Sequence, residues 1–461
     1  MRKEKDSLGE MELPDDAMYG VQTRRAMYNF RASGRRARVE MVRAYVTIKK
    51  AAAMANMETG DLDEETGIAI VTACDEILEG RYMDQFPVDV FQAGAGTSFN
   101  MNVNEVICNI ALEIKGLSKG DYTSISPNDH VNMSQSTNDT FPTASHIAII
   151  WKVDELLKEL DVLASSLEEK EVELADVAKS GRTHLMDALP IRMGNEFRAY
   201  ASAIRRAAGR IEQRQEDLLE LPIGGSAVGT GANTGNGYRN LVIENLSMLT
   251  HRLFISARDP YEALQSRSQM LSFSSSLREL ALELIRIAND LRLLNSGPTT
   301  GLAELSLPAV QPGSSMMPGK VNPVMAECLD MICFQVIGND TATAMAAQAG
   351  QLELNVMTPV MTHDILESLD LLIRYLPDFR VKCIDGIAAD KKRCASYIEK
   401  NPILATFLTE RIGYLAAAEV VMESTVTGIP VAELVVKRRL LTKKEAKELF
   451  DPIRMSQGKY D

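Results

Sequence analysis

Three runs of apolar residues, spaced at steps of three and four, constrain this chain more than any other feature. The first is Ile149, Val153, Leu156, Leu160, Leu163 and Leu167. The second is Phe197, Tyr200, Ile204, Ala208, Ile211 and Leu218. The third is Leu277, Leu280, Leu284, Ile287 and Leu291. This spacing draws one narrow apolar seam down a long helix and leaves Lys, Glu and Asp on the other faces. A lone helix of that kind does not persist without partners to bury its seam. Two further helical segments lie at 324–348 and 360–378. Alanine is frequent and aromatics are few, which suits closely packed helices. Residues 141–395 are therefore predicted to form a central long-helix bundle. Seams on more than one side point to the assembly of several chains into a larger bundle.

The flanks read differently. Residues 1–140 are a mixed, loop-rich domain with helices expected over Val39–Asn56 and Glu64–Leu78. Residues 396–461 are expected to form a small helical end domain with a Lys/Arg/Glu-rich tail. The length of 461 residues suits about three domains. The expected fold class is mainly α.

Four polar breaks interrupt the helices. The most informative is Gly313-Ser-Ser-Met-Met-Pro-Gly-Lys-Val-Asn322, whose glycines and proline rule out regular helix. Asn322-Pro323 reads as an N-cap with proline in the first turn, opening a helix through Val324, Cys328, Ile332 and Val336. Backbone N–H groups, the helix dipole and Lys320 together favour an anion there. A second break, Gly94-Ala-Gly-Thr-Ser-Phe-Asn100, precedes a helix through Val106, Ile110 and Ile114; capping by Thr97 or Ser98 is its simplest reading. The third, Ser134-Gln-Ser-Thr-Asn-Asp-Thr140, stands before a helix expected to start at Phe141-Pro142. The fourth, Ser180-Gly-Arg-Thr-His-Leu-Met-Asp187, places His184 in a loop beside Thr183.

Several function classes are excluded. A Walker phosphate loop needs four residues between its glycines and Ser or Thr after the lysine. Here five residues separate Gly313 from Gly319, and Val321 follows Lys320. The glycine-rich stretch 223–237 follows a helix, so it is a connection and not a dinucleotide fingerprint. A net charge of −13 argues against nucleic acid and anionic membrane surfaces as partners. Runs such as Ile147–Trp151 are far too short to span a bilayer. The charged N-terminus leads into no apolar core, so no signal peptide is expected. The six cysteines show no metal-ligand or disulfide pattern, and the five histidines are scattered. A reduced, cytoplasmic protein is expected, with no metal site.

Together the four breaks resemble the active-site regions of the aspartase/fumarase superfamily. Gly313–Asn322 is similar to its signature loop. Gly94–Asn102, Ser134–Asp139 and Gly181–His184 resemble its other three regions. The resemblance runs through most of the chain. It implies a helical homotetramer whose active sites each draw loops from three subunits around a shared bundle. Thr97-Ser98 after Gly-Ala-Gly, Asp84–Val90, Val336–Asp340 and Gln348–Met357 look like the aspartate ammonia-lyase branch. Fumarases usually carry a different pair in the first loop and an aromatic where Met357 sits.

That branch implies reversible elimination of ammonia from L-aspartate to give fumarate. A proton leaves the carbon beside the β-carboxylate, which then carries extra charge as an aci-carboxylate and needs fixed donors. By the resemblance, Ser314 is the general base. Thr97, Ser136, Thr137 and Ser315 grip the β-carboxylate, with Ser98 also in the substrate-binding set. Lys320, Asn322 and Thr183 hold the α-carboxylate, and Asn138 and His184 face the amino group. No tightly bound organic cofactor is implied; activation by a divalent metal is not readable. A serine base needs its alkoxide stabilised, which loop N–H groups and Lys320 can supply. Departures are Thr299 where the family has arginine, Met186 for a usual glutamine, and Thr409-Glu410 for the common Asn-Pro. The competing readings are a fumarate hydratase of the same superfamily and a non-catalytic protein on a lyase scaffold.

Overall fold

A computed structural model describes residues 1–457; the last four residues of the expected end domain lie outside this range. Helices dominate, and the described strands form only two-stranded sheets. The longest helices are Thr137–Glu173, Met193–Gln215, Ser268–Leu294, Val324–Gln348 and Thr358–Phe379. The first has 37 residues, a rod of roughly 55 Å at 1.5 Å per residue. All three seams are buried, apart from half-buried Ala208. Each fully buried Leu, Ile or Phe on them contributes roughly 1.5–3 kcal/mol, so packing rather than helix propensity holds these elements.

The chain forms two compact units, each discontinuous in sequence. One comprises Met1–Leu157, Gly209–Glu279 and Phe334–Leu372. Its shorter helices include Val39–Glu58, Glu64–Leu78 and Thr97–Ile114. Asp63 caps the second of these by accepting from Thr66 N. The other unit comprises Lys158–Ala208, Leu280–Cys333 and Ile373–Asp461. In it, short helices between Lys391 and Met455 enclose an apolar cluster that includes Leu404, Leu408, Val420, Leu434 and Val435.

Four local expectations are corrected. The helix expected to open at Phe141-Pro142 begins at Thr137, with Pro142 inside it. The cause is a reciprocal cap. Ser136 Oγ accepts from Asn138 N at 3.2 Å, and Asp139 Oδ1 accepts from Ser136 N at 3.0 Å. Thr97 and Ser98 do not cap their helix; Thr97 is its first residue, and Gly96 at φ 85° is the N-cap. Asn322 is not a side-chain cap either, because its amide turns back into its own loop. The expected loop around His184 is a β-hairpin. Strands Ala178–Thr183 and Met186–Arg192 pair antiparallel, with a bulge between Ser180 and Arg182. His184 and Leu185 form its two-residue turn, both at positive φ, 55° and 62°.

Candidate active site

The breaks at 94–100 and 134–140 meet in the first unit. Ala95 sits at φ 61°, and its N–H donates to Val356 O at 2.7 Å. A Cβ on Gly96 would run into the Phe141 ring, so this turn needs glycine for space as well as for φ. The turn launches Thr97 and Ser98 against a cavity of about 260 Å³, which Gln22, Arg25 and Met101 also line. Thr97 Oγ1 donates to Gly94 O at 3.2 Å. Thr137 lies at the start of its helix, and its Oγ1 accepts from Asn100 Nδ2 at 2.8 Å. Asn138 Nδ2 donates to Ala227 O at 2.8 Å, which leaves the Asn138 side-chain oxygen as a free acceptor among the described residues.

Buried Asp139 ties these loops to the glycine-rich connection. Its Oδ2 accepts from Gly224 N at 3.0 Å and Ser226 N at 2.9 Å. Burial pushes the Asp139 carboxyl up to about 7, against the pull of these backbone N–H groups. Beneath it, fully buried Lys49 donates to Asn132 Oδ1 at 2.9 Å and Gln135 Oε1 at 2.8 Å. Burial brings the Lys49 ammonium down to about 7.

The breaks at 180–187 and 313–322 belong to the second unit. Thr183 and His184 stand exposed at the hairpin tip. The hairpin's root is buried and highly charged. Lys179 Nζ lies 2.7 Å from Glu196 and 3.1 Å from Glu304, and Arg182 reaches both oxygens of Glu304. Asn401 Nδ2 donates to Ser180 Oγ and Ala188 O across the two strands.

The loop 313–322 is closed at its ends. Gly313 N donates to Lys320 O at 2.8 Å, and Asn322 Nδ2 donates to Gly313 O at 2.6 Å. Within this ring Ser314 Oγ accepts from Met316 N at 3.2 Å and Met317 N at 2.9 Å. Two N–H groups aimed at one hydroxyl oxygen favour negative charge on it. Ser315 and Lys320 are exposed. Lys320 and Asn322 line a cavity of about 570 Å³ with Arg292, Asn295 and Ser306. Among the described residues Lys320 pairs with no carboxylate.

One chain thus joins Thr97, Ser98, Ser136, Thr137 and Asn138 in one unit. Within the other, no hydrogen bond among the described residues links Thr183 and His184 to the loop 313–322. The sequence reading missed Lys49, Asn100, Asn132 and Asp139 beneath the loops. A signal was present: Asn100, Asn102 and Asn104 alternate with apolar residues near the start of their helix, and all three are buried. At the departure Thr299, Arg393 binds the backbone carbonyls of Pro298, Thr299, Gly301 and Leu302. Among the described residues no group of three or more His, Cys, Asp or Glu could hold a metal ion. All six cysteines are free. Among the described residues no single helix is long and apolar enough to cross a membrane.

A mainly helical chain with these four loops belongs to a known class. A family model for lyases matches residues 9–338, and one for the fumarase C C-terminus matches residues 404–457. The chain belongs to the aspartase/fumarase superfamily. It is 47% identical over 456 residues to the aspartate ammonia-lyase of Bacillus subtilis (strain 168), covering 99% of this chain and 96% of that protein. The aspartate ammonia-lyase of Escherichia coli (strain K12) is 44% identical, with 98% of this chain and 95% of that protein covered. Among solved structures, a fumarate lyase:delta crystallin from Brucella melitensis bound to cobalt matches with a TM-score of 0.97 at 45% identity, covering 99% and 100% of the two chains. A class II fumarase from Schistosoma mansoni matches with a TM-score of 0.95 at 36% identity, covering 99% of each.

Proposed function

We propose that this chain is a carbon–nitrogen lyase that reversibly eliminates ammonia from L-aspartate to give fumarate. The observation that carries the reading is Ser314, its Oγ held by the N–H groups of Met316 and Met317 in a loop that also offers an unpaired Lys320. A hydroxyl so placed loses its proton more readily, because the alkoxide is met by fixed donors. The choice of aspartate is supported by the full-length relatives.

In this reading Ser314 removes the proton beside the β-carboxylate. Thr97, Ser98, Ser136, Thr137 and Ser315 donate to that carboxylate as it gains charge. Lys320, Asn322 and Thr183 hold the α-carboxylate. The Asn138 side-chain oxygen and His184 face the amino group, which departs as ammonia. The steps need no tightly bound organic cofactor. The chain works as a cytoplasmic homotetramer, each site drawing loops from three subunits. An exposed apolar stripe on the helix Val324–Gln348, with Met331, Phe334 and Met345, supports that assembly.

The test offers purified protein L-aspartate and L-malate separately and follows fumarate by its ultraviolet absorbance. Fumarate from aspartate alone is expected. Fumarate from malate alone would overturn the reading in favour of a hydratase, which the likeness to a class II fumarase keeps in view. Silence with both would make this a scaffold without the activity.

A further inference from the structure

Thr137 Oγ1 accepts a hydrogen bond from Asn100 Nδ2 at 2.8 Å. A hydroxyl has one proton and two lone pairs. With an amide N–H on a lone pair, the Thr137 proton must point elsewhere, and among the described residues it meets no acceptor. The direction of this bond depends on which end of the Asn100 amide faces Thr137. That is decided two residues away.

Asn132 Nδ2 donates to the backbone carbonyl of Gln135 at 3.2 Å, and a carbonyl only accepts, so the end of this amide that faces Lys49 at 2.9 Å is its oxygen. The same oxygen faces the Asn100 and Asn104 amides, each at 3.2 Å, so both must present nitrogen. Turning Asn100 over would set oxygen against oxygen. It stays in place although its Oδ1 is buried with no donor. One hydrogen of Asn100 Nδ2 goes to Asn132 and the other to Thr137. Lys49 and Asn100 thus both donate to Asn132 Oδ1, which fixes the Asn100 amide so that its second hydrogen points to Thr137 Oγ1.

We propose that Lys49 and Asn100 are positioning residues that commit the Thr137 hydroxyl to donate to the substrate carboxylate. The inference rests on the reading of Thr137 as a carboxylate donor. It adds a cause: the donor is fixed before substrate arrives, so no reorientation is needed as charge develops. The bond that Thr137 Oγ1 accepts from Asn100 also polarises the hydroxyl, which strengthens its own donation.

The test is a double-mutant cycle between Asn100→Leu and Thr137→Val, read as kcat/KM for L-aspartate, with melting temperature followed in parallel. Thr137→Val is expected to lower kcat/KM roughly 10- to 100-fold, the size of a hydrogen bond to a charged group. Asn100→Leu should lower it roughly tenfold, and should cost nothing further once Thr137 is valine. Lys49→Met repeats the cycle from the far end of the line, should Asn100→Leu not fold. Wild-type kinetics in Thr137→Val would overturn the site reading itself. An impaired Thr137→Val on which the second substitution multiplies in full would leave the site reading standing and overturn the positioning role.

Discussion

Arg182 and Glu304 form a two-pronged ion pair, with nitrogen–oxygen distances of 2.9 and 2.8 Å, on a carboxylate wholly shielded from solvent. Lys179, itself buried, lies 3.1 Å from the same carboxylate. Glu304 is thus shared by two cations, with Glu196 2.7 Å from Lys179 supplying the second negative charge, along the hairpin whose tip carries Thr183 and His184. A β-hairpin alone is marginal in water, so this cluster and Asn401 account for its fixed position.

Glu304→Gln should therefore be costly. It leaves Arg182 without its carboxylate and Lys179 with Glu196 alone. Removing one partner of a buried ion pair destabilises by about 3–5 kcal/mol. A urea unfolding curve should show its midpoint fall accordingly, with turnover falling as the hairpin loosens. A midpoint matching wild type would mean that the hairpin is held by its apolar contacts instead.

Ser314→Ala is expected to lower turnover by roughly three orders of magnitude or more, the scale of losing a base together with its stabilised charge. The melting temperature should hardly move, because the loop is largely exposed and the freed N–H groups of Met316 and Met317 can turn to water. Steady-state kinetics beside a thermal melt separate the two. Turnover within tenfold of wild type would remove Ser314 from the role of base.

Lys320→Ala should act on binding. Lys320 is exposed and pairs with no carboxylate among the described residues, so its loss should cost little stability. A charge-assisted contact to a carboxylate corresponds to a rise in KM of roughly 10- to 100-fold. An unchanged KM would count against its role at the α-carboxylate.

The parts of this structure that were legible in the sequence are those set by local rules. The seam from Ile149 to Leu167 repeats every three or four residues, and burial follows that repeat. The helix Glu64–Leu78 carries its own cap in Asp63 and was bounded correctly. What could not be read depends on partners distant in sequence. His184-Leu185 has none of the Asn-Gly chemistry of a two-residue turn. Its positive φ values persist because Glu304 and Asn401, more than a hundred residues away, clamp the strands. The helix start at Thr137 was obscured because Asp139 serves at once as cap partner and as anchor for Gly224 and Ser226. Asn322 looked like a cap by position, yet its amide closes the loop onto Gly313. The four loops were recognisable by resemblance, but the line from Lys49 to Thr137 was not. Nothing in a row of asparagines says which oxygen a lysine will face.

His146 links stability to pH. It is 4% exposed, and its Nδ1 lies 3.1 Å from Glu220 O. A carbonyl only accepts, so Nδ1 carries a proton. Burial first, and the nearby charge of Arg267 second, bring its pKa from 6.5 down to about 4. The folded value is depressed, so the unfolded chain binds more protons between pH 6.5 and 4. The stability this neutral histidine contributes is present above pH 6.5 and is lost as pH falls through 4. At about 1.36 kcal/mol per pKa unit the loss is about 3 kcal/mol. Urea unfolding at pH 7 and pH 5, run on wild type and His146→Gln, isolates it, since the carboxylates common to both cancel. The variant should lose less stability than wild type over that interval. Equal losses would mean that His146 becomes charged in the folded protein as readily as in water, and that the buried environment does not hold it neutral.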